Sequence, residues 1–234
     1  MTENEVIKKI NNLGHIKVVF EPNIYKEDLI EKKDLQHILE KSQISLRGWS
    51  FPFIPFYDTE DAKTPYSIGN GIEFFTDSNR YKEIFRFYKS GQFVGKFILL
   101  EDIINKINNT EVKPGKYLDF LSLIYKITEI VLFIKNIVEN IGVDGGLIKL
   151  EINNTKNREL ESLFNFMILP FNSNYICYMD QIKVEYKFEK EQILNDALLI
   201  SRILIKSIFD DFNWKNYSEE MITNHQENLI NHRL

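Results

Sequence analysis

Four histidines, one cysteine and a few adjacent acids are the residues of this 234-residue chain with the chemistry for catalysis or metal binding. His15, His37, His225 and His232 stand alone. None pairs with another His, a Cys or an acid at three- or four-residue spacing in a recognisable metal-ligand signature. His225 and His232 are seven residues apart, share a helix face and read as surface residues. Cys177 lies in Tyr175-Ile176-Cys177-Tyr178-Met179, a strand-like run. A nucleophilic thiolate needs a nearby cation or histidine, so a structural cysteine is expected. Carboxylates adjoin at Glu60-Asp61, Glu101-Asp102, Asp210-Asp211 and Glu219-Glu220. Adjacent residues point apart on a helix or strand, so none of these is a dyad. Glu101-Asp102 reads as the polar start of a short helix. Glu219-Glu220 fits the first turn of a terminal helix, where the backbone dipole favours acids.

The chain has no G-x-G-x-x-G, no G-x-x-x-x-G-K-[ST] and no G-x-S-x-G. Gly69-Asn70-Gly71 and Gly145-Gly146 are turn glycines without a phosphate-binding context. No cofactor and no metal is therefore expected, and no catalytic residue can be named. A hydrolase or nuclease assembled from acids far apart in sequence stays open as the enzymatic alternative.

Two stretches carry binding chemistry instead. In Arg47-Gly48-Trp49-Ser50-Phe51-Pro52, a glycine lets backbones approach beside Arg and Trp, residue types enriched at binding hot spots. Arg47, Trp49 and Phe51 are the candidates for contact with a partner or ligand. The bland alternative is a Trp plug at a strand end, with Arg47 paired to an acid. Between residues 80 and 97 stand five basic residues, Arg80, Lys82, Arg86, Lys89 and Lys96, against one acid, Glu83. Interleaved with Tyr81, Phe85, Phe87, Tyr88 and Phe93, they suit stacking on bases and neutralising phosphates. Arg80, Lys82, Arg86 and Lys89 are the nucleic-acid candidates. The competing reading is a half-buried hairpin with Phe inward and cations guarding an edge.

The elements that must hold these residues can be read from periodicity. Val6, Ile7, Ile10 and Leu13 predict a helix over 3–13, with Gly14 as its left-handed cap. A strand over 15–21 stops at Pro22. A short helix over 35–41 takes Asp34 as N-cap. Alternation predicts a half-buried strand from Gln43 to Trp49, followed by an irregular aromatic-proline run to Tyr57 and a loop over 58–64. A strand over 67–76 is broken at Gly69-Asn70-Gly71. Ser90-Gly91 joins the runs 80–89 and 92–100 into a hairpin. After Pro114-Gly115 comes a long helix, 117–141, whose Asp119, Ser122, Lys126, Glu129, Asn136 and Asn140 form one narrow polar stripe. It ends at Gly142. Strands over 147–152 and 176–188 and a second long helix, 192–212, follow. A polar helix with few anchors, 217–233, comes last.

These elements predict one α+β domain spanning 1–234, with a subdivision near 114–115 as the alternative. Its two long helices cover a mostly antiparallel sheet. The 18 Phe and 11 Tyr supply the core, and a chain this long needs no disulfide or metal staple. A single cysteine fits a reducing compartment. The opening Met1-Thr2-Glu3-Asn4-Glu5 shows no secretory signal, and the long helix 118–141 carries too many charges for a membrane span. A cytoplasmic location and no membrane contact are expected. The net charge of −5 argues against a whole-surface polyanion binder but leaves room for a local basic patch.

Leu46-Arg47-Gly48-Trp49-Ser50-Phe51-Pro52, Phe87-Tyr88-Lys89-Ser90-Gly91-Gln92-Phe93 and Phe209-Asp210-Asp211-Phe212-Asn213-Trp214 resemble segments of uncharacterised bacterial proteins. Those segments are associated with Schlafen-type, Alba-like nucleic-acid-binding proteins. The resemblance runs in the same order along most of the chain, without the Alba-like domain itself. It implies a sensor or adaptor in a bacterial defence or regulatory system, and it transfers no catalytic residue. The expected function is a non-enzymatic binding, sensor or adaptor module that acts with a protein partner, with nucleic acid as a further candidate. A small-ligand sensor, with residues 51–57 lining its pocket, is the third reading.

Overall fold

The computed structural model describes residues 2–79, 81–104, 106–107, 110–163 and 174–232. Its centre is a seven-stranded sheet of β1 (His15–Pro22), β2 (Ala62–Ser67), β3 (Gly71–Asp77), β4 (Lys82–Tyr88), β5 (Phe93–Ile98), β6 (Gly145–Asn153) and β7 (Gln181–Glu189). The spatial order is β7-β6-β1-β5-β4-β3-β2. Every pairing in it is antiparallel. The sheet draws strands from both sides of Pro114-Gly115. The fold is α+β, as the pattern predicts.

Side-chain alternation sends two sets of residues to opposite faces. One face presents Ile16, Val18, Phe20, Phe74, Phe85, Phe87, Phe93, Phe97, Ile148, Leu150 and Ile152 to the main core. The long helices α3 (Phe120–Ile141) and α4 (Lys190–Asp211) pack there, with α2 (Leu35–Ser42) beside α3. The other face, through Phe75 and Ile84, receives Val6 and Ile10 of α1 (Glu3–Asn11). Helix α3 is capped at both ends by local chemistry. The Asp119 side chain accepts from the Ser122 N–H, and Gly142 takes the left-handed conformation at φ 69°. Among the described residues no helix is long and apolar enough to cross a membrane.

Several local expectations are corrected. Residues 43–49 form no strand. Gly48 bends the chain at φ 76°, and the stretch folds back so that Ile44 and Phe51 make a single bridge. The expected strand over 67–76 is a hairpin of β2 and β3 that turns at Gly69 (φ 78°), and β2 begins inside the expected loop, at Ala62. The expected strand over 176–188 is divided. Tyr175–Ile176 belongs to a small sheet with Glu159–Glu161 and Tyr117–Asp119, and β7 begins at Gln181. Asp34 makes no side-chain cap bond.

Gly14 is not a left-handed cap; α1 ends at Asn12 in ordinary helical geometry. Gly14 serves close approach instead. A Cβ there would stand 2.1 Å from Arg158 Nη2, and its N–H donates to Asp102 Oδ2 at 2.5 Å. Arg158 is fully buried and donates through both terminal nitrogens to the Asp102 carboxylate, at 2.7 and 2.6 Å. Burial opposes ionisation of Asp102, but Arg158 and the Gly14 and Gly115 N–H groups outweigh it and hold its pKa below the ordinary value. The polar terminal helix α5 (Glu219–Ile230) has one unexpected anchor. Gln226 is fully buried and donates to Thr128 of α3 at 3.1 Å and to Ser201 of α4 at 2.6 Å.

Candidate functional site

The polar stripe of α3 faces inward, against residues 42–49. Asn136 and Asn140 donate to the backbone oxygen and the hydroxyl of Ser42. One turn pair toward the helix start, Glu129 is buried and takes both arms of Arg47, from Nε at 2.9 Å and Nη2 at 2.7 Å. Lys126 lies 3.6 Å from the same carboxylate. The stripe therefore adds charge and hydrogen bonds to what holds the bend on the helix.

Where the stripe reaches the first turn of α3, a cavity of about 180 Å³ opens between α3, the bend, and the ends of β4 and β5. Its apolar walls include Ile16, Phe97, Leu99, Leu118 and Leu123. Arg47, Trp49, Tyr81 and Lys82 also line it, all half-buried, along with Glu83, Glu101, Asp119 and Lys126. Trp49 is held rigidly. Its indole is stacked between Phe53 (centroids 4.0 Å apart) and Tyr81 (4.2 Å). Two rings that close and that nearly parallel must occupy opposite faces, so only the indole edge remains for the cavity.

Glu83 stands on the core face of β4, in the alternation that puts Phe85 and Phe87 there. It is buried, and its Oε1 has no hydrogen-bond partner among the described residues. The same is true of Trp49 Nε1. The indole N–H is near enough to favour the Glu83 carboxylate, yet the pair falls short of hydrogen-bond geometry. Burial pushes the Glu83 pKa up to about 7, against the pull of Lys126 and Trp49. Burial and the Asp119 charge raise Glu101 to about 7 as well. Burial draws Lys126 below the ordinary lysine value, opposed by Glu129 and reinforced by Arg47. Perturbed groups gathered in a concave, largely apolar site mark a functional candidate.

The other acids are bonded within the fold. Glu101 accepts from the Asp119 N–H at 2.7 Å, and Asp119 accepts from the Ser122 and Leu163 N–H groups at 2.6 Å each. Among the described residues no group of three or more His, Cys, Asp or Glu is arranged to hold a metal ion.

Of the residues singled out in the sequence, Arg47, Trp49 and Lys82 meet at this cavity. Phe51 is buried in the core beneath it, edge-on to Phe85, Phe97 and Phe133. Lys82 donates to Asp77 at 2.6 Å. Arg86 lies on the opposite face of the sheet, paired with Glu73 at 2.5 Å and with Glu3. Lys89 pairs with Asp28. Arg80 lies outside the described residues. Cys177 is buried. Sequence reasoning missed Glu83, Glu101 and Lys126 as site residues. The signal for Glu83 was present, since an acid in register with Phe85 and Phe87 must face the core. Lys126 was visible only as part of a stripe, and nothing local marks Glu101.

No protein-family model, no curated protein and no solved structure matches this chain.

Proposed function

We propose that this chain is a small-ligand sensor, a non-enzymatic binding module whose ligand sits in the cavity bounded by Trp49, Glu83 and Lys126. The observation that carries the reading is the cavity itself, about 180 Å³ with largely apolar walls, around which Arg47, Glu83, Glu101 and Lys126 gather. A concave, largely apolar site with a few polar groups is the usual form of a small-ligand site. The bend that carries Arg47 and Trp49 continues into Phe56 and Tyr57, which are 91% and 71% exposed. These two aromatics are the proposed contact for a protein partner, so ligand site and partner site share one stretch of chain. Contact with nucleic acid draws less support, because Lys82, Arg86 and Lys89 already pair with carboxylates of this chain.

The test is a thermal-unfolding screen of the full chain against nucleotides, bases, amino acids and other metabolites. A ligand at a hundred times its Kd adds about 2.7 kcal/mol of stability. The expected result is stabilisation by at least one compound, weakened in Trp49→Phe. A screen in which nothing stabilises the wild-type chain refutes the ligand-sensor reading.

A second reading has its own observation. Glu83 and Glu101, both near pKa 7, share the cavity with Lys126, and groups so tuned suit general acid–base catalysis. Incubating any stabilising compound with the protein and looking for product decides it. Turnover lost in Glu83→Gln and Glu101→Gln would establish an enzyme; an unchanged compound leaves a sensor.

A further inference from the structure

The two outermost strands close the seven-stranded sheet in different ways. β2, at one end, carries Pro65, and its register with β3 shifts between Lys63 and Tyr66. A proline and a bulge keep an edge strand from pairing with another chain. β7, at the other end, has neither. Its nine residues, Gln181–Glu189, run in unbroken register with β6, against about five or six in a usual strand. Among the described residues β6 is the one neighbour of β7 in the sheet. An edge this long and regular offers a row of backbone N–H and C=O groups to a further strand.

We propose that this edge is a self-association surface. Two copies pair β7 with β7, antiparallel, about a two-fold axis at Tyr186, and their sheets join into one.

The charges select both the partner and the register. Ile182 and Phe188 point into the core, so Lys183, Glu185, Lys187 and Glu189, all exposed, stand on the opposite face. A two-fold axis normal to the sheet keeps that face on the same side in both copies. With the axis at Tyr186, Lys183 stands opposite Glu189 of the second copy, and Glu185 opposite Lys187. Symmetry repeats both pairs, so all four charges are matched. An axis at Glu185 sets Lys183 against Lys187, and one at Lys187 sets Glu185 against Glu189. An axis at Val184 matches Lys183 with Glu185 but leaves Lys187 opposite Gln181. Opposite charges across a strand pair are favourable and like charges are not.

The matched pairs continue an alternation already present in the sheet. Lys17 stands opposite Glu151, and Glu151 opposite Lys183. Lys17 Nζ lies 3.0 Å from Glu151 Oε1, so opposed charges on this face do reach each other. Glu189 of the second copy extends that row. Lys149 stands opposite Glu185, and Lys187 of the second copy comes next. On the helix side, Val184 meets Phe188 of the second copy and Tyr186 meets its own counterpart. Val184 and Tyr186 are half-buried in the single chain, so pairing also covers apolar surface.

The experiment is sedimentation equilibrium of the full chain from about 1 μM to about 1 mM. The mass is expected to rise with concentration from 27.8 kDa toward twice that value. Lys183→Glu alone and Glu189→Lys alone each set two like-charged pairs across the axis and should weaken the dimer about tenfold. The double variant restores opposite charges in this register and should return to within about threefold of the wild-type affinity. Circular dichroism checks that each variant is folded; if one single variant is not, the other completes the comparison with the double variant. A chain that stays monomeric over the whole range overturns the proposal. So does a dimer indifferent to both single variants, which associates through another surface. A dimer weakened by each single variant and not recovered in the double variant overturns the Tyr186 register, and with it the proposal.

Discussion

Replacing Glu83 by Gln keeps the shape of the side chain and removes its charge. In the folded protein burial raises this carboxyl from 4.5 to about 7. It faces Phe97 across the β4–β5 ladder, Lys126 from α3 and the Trp49 indole from the bend; Arg47, Glu101, Asp119 and Lys82 are the other charges around the cavity. An acid whose folded pKa lies above its unfolded one binds its proton more tightly when folded. Its contribution to stability is complete below pH 4.5, falls as pH rises toward 7 and is flat beyond. At about 1.4 kcal/mol per pH unit the loss amounts to roughly 3 kcal/mol. Glu101 titrates in the same window, but it is present in both proteins and cancels in their difference. Urea titrations at pH 5, 6, 7 and 8 give the comparison. The stability of Glu83→Gln relative to wild type should rise by roughly 2–3 kcal/mol between pH 5 and pH 8. A difference that stays constant over this range would falsify the claim that Glu83 is buried and unsatisfied.

Arg47→Ala leaves Glu129 buried with only Lys126 nearby and should cost about 2–4 kcal/mol in urea unfolding; adding Glu129→Gln should recover more than half of that loss. Gly14→Ala drives a methyl into Arg158 and should cost about 1–3 kcal/mol, while Arg158→Met, which strands Asp102, should cost about 3–5 kcal/mol. Because the two sites share one contact, the double variant should lose less than the sum of the two, a point that a double-mutant cycle reads directly. Gln226→Ala should cost about 1–2 kcal/mol and speed amide exchange in α5 while leaving exchange in the sheet unchanged.

The strands and long helices were legible because their residues obey a period. The alternation in β4, β5 and β7 and the apolar breadth of α3 and α4 leave few other folds. The turn at Ser90-Gly91 was legible for a local reason: Gly91 sits at φ 80°. The strand expected over 43–49 failed because alternation there is produced by something else. Ile44 bridges Phe51, Arg47 turns to Glu129, and Gly48 reverses the chain. The site was half legible. Arg47 and Trp49 stood out by type, but their meeting with Glu83 and Lys126 joins residues more than 30 and 75 positions apart, which no local pattern encodes. Arg158 was illegible altogether, since nothing in its neighbourhood marks a fully buried cation.

The way the bend is held has a kinetic consequence. Residues 43–51 belong to no sheet ladder; Phe51 anchors their far end in the core, and between it and α2 the Arg47 fork to Glu129 ties the bend to α3. Segments with few ladder bonds open at lower free energy than the strands they cover. Release of this latch exposes the edge of the cavity while the seven strands stay paired. For the proposed ligand, residence time is then expected to depend on the Arg47–Glu129 fork. The amide protons of Ile44 and Phe51, exchanging earlier than those of β1 and β5, report how often the latch lifts.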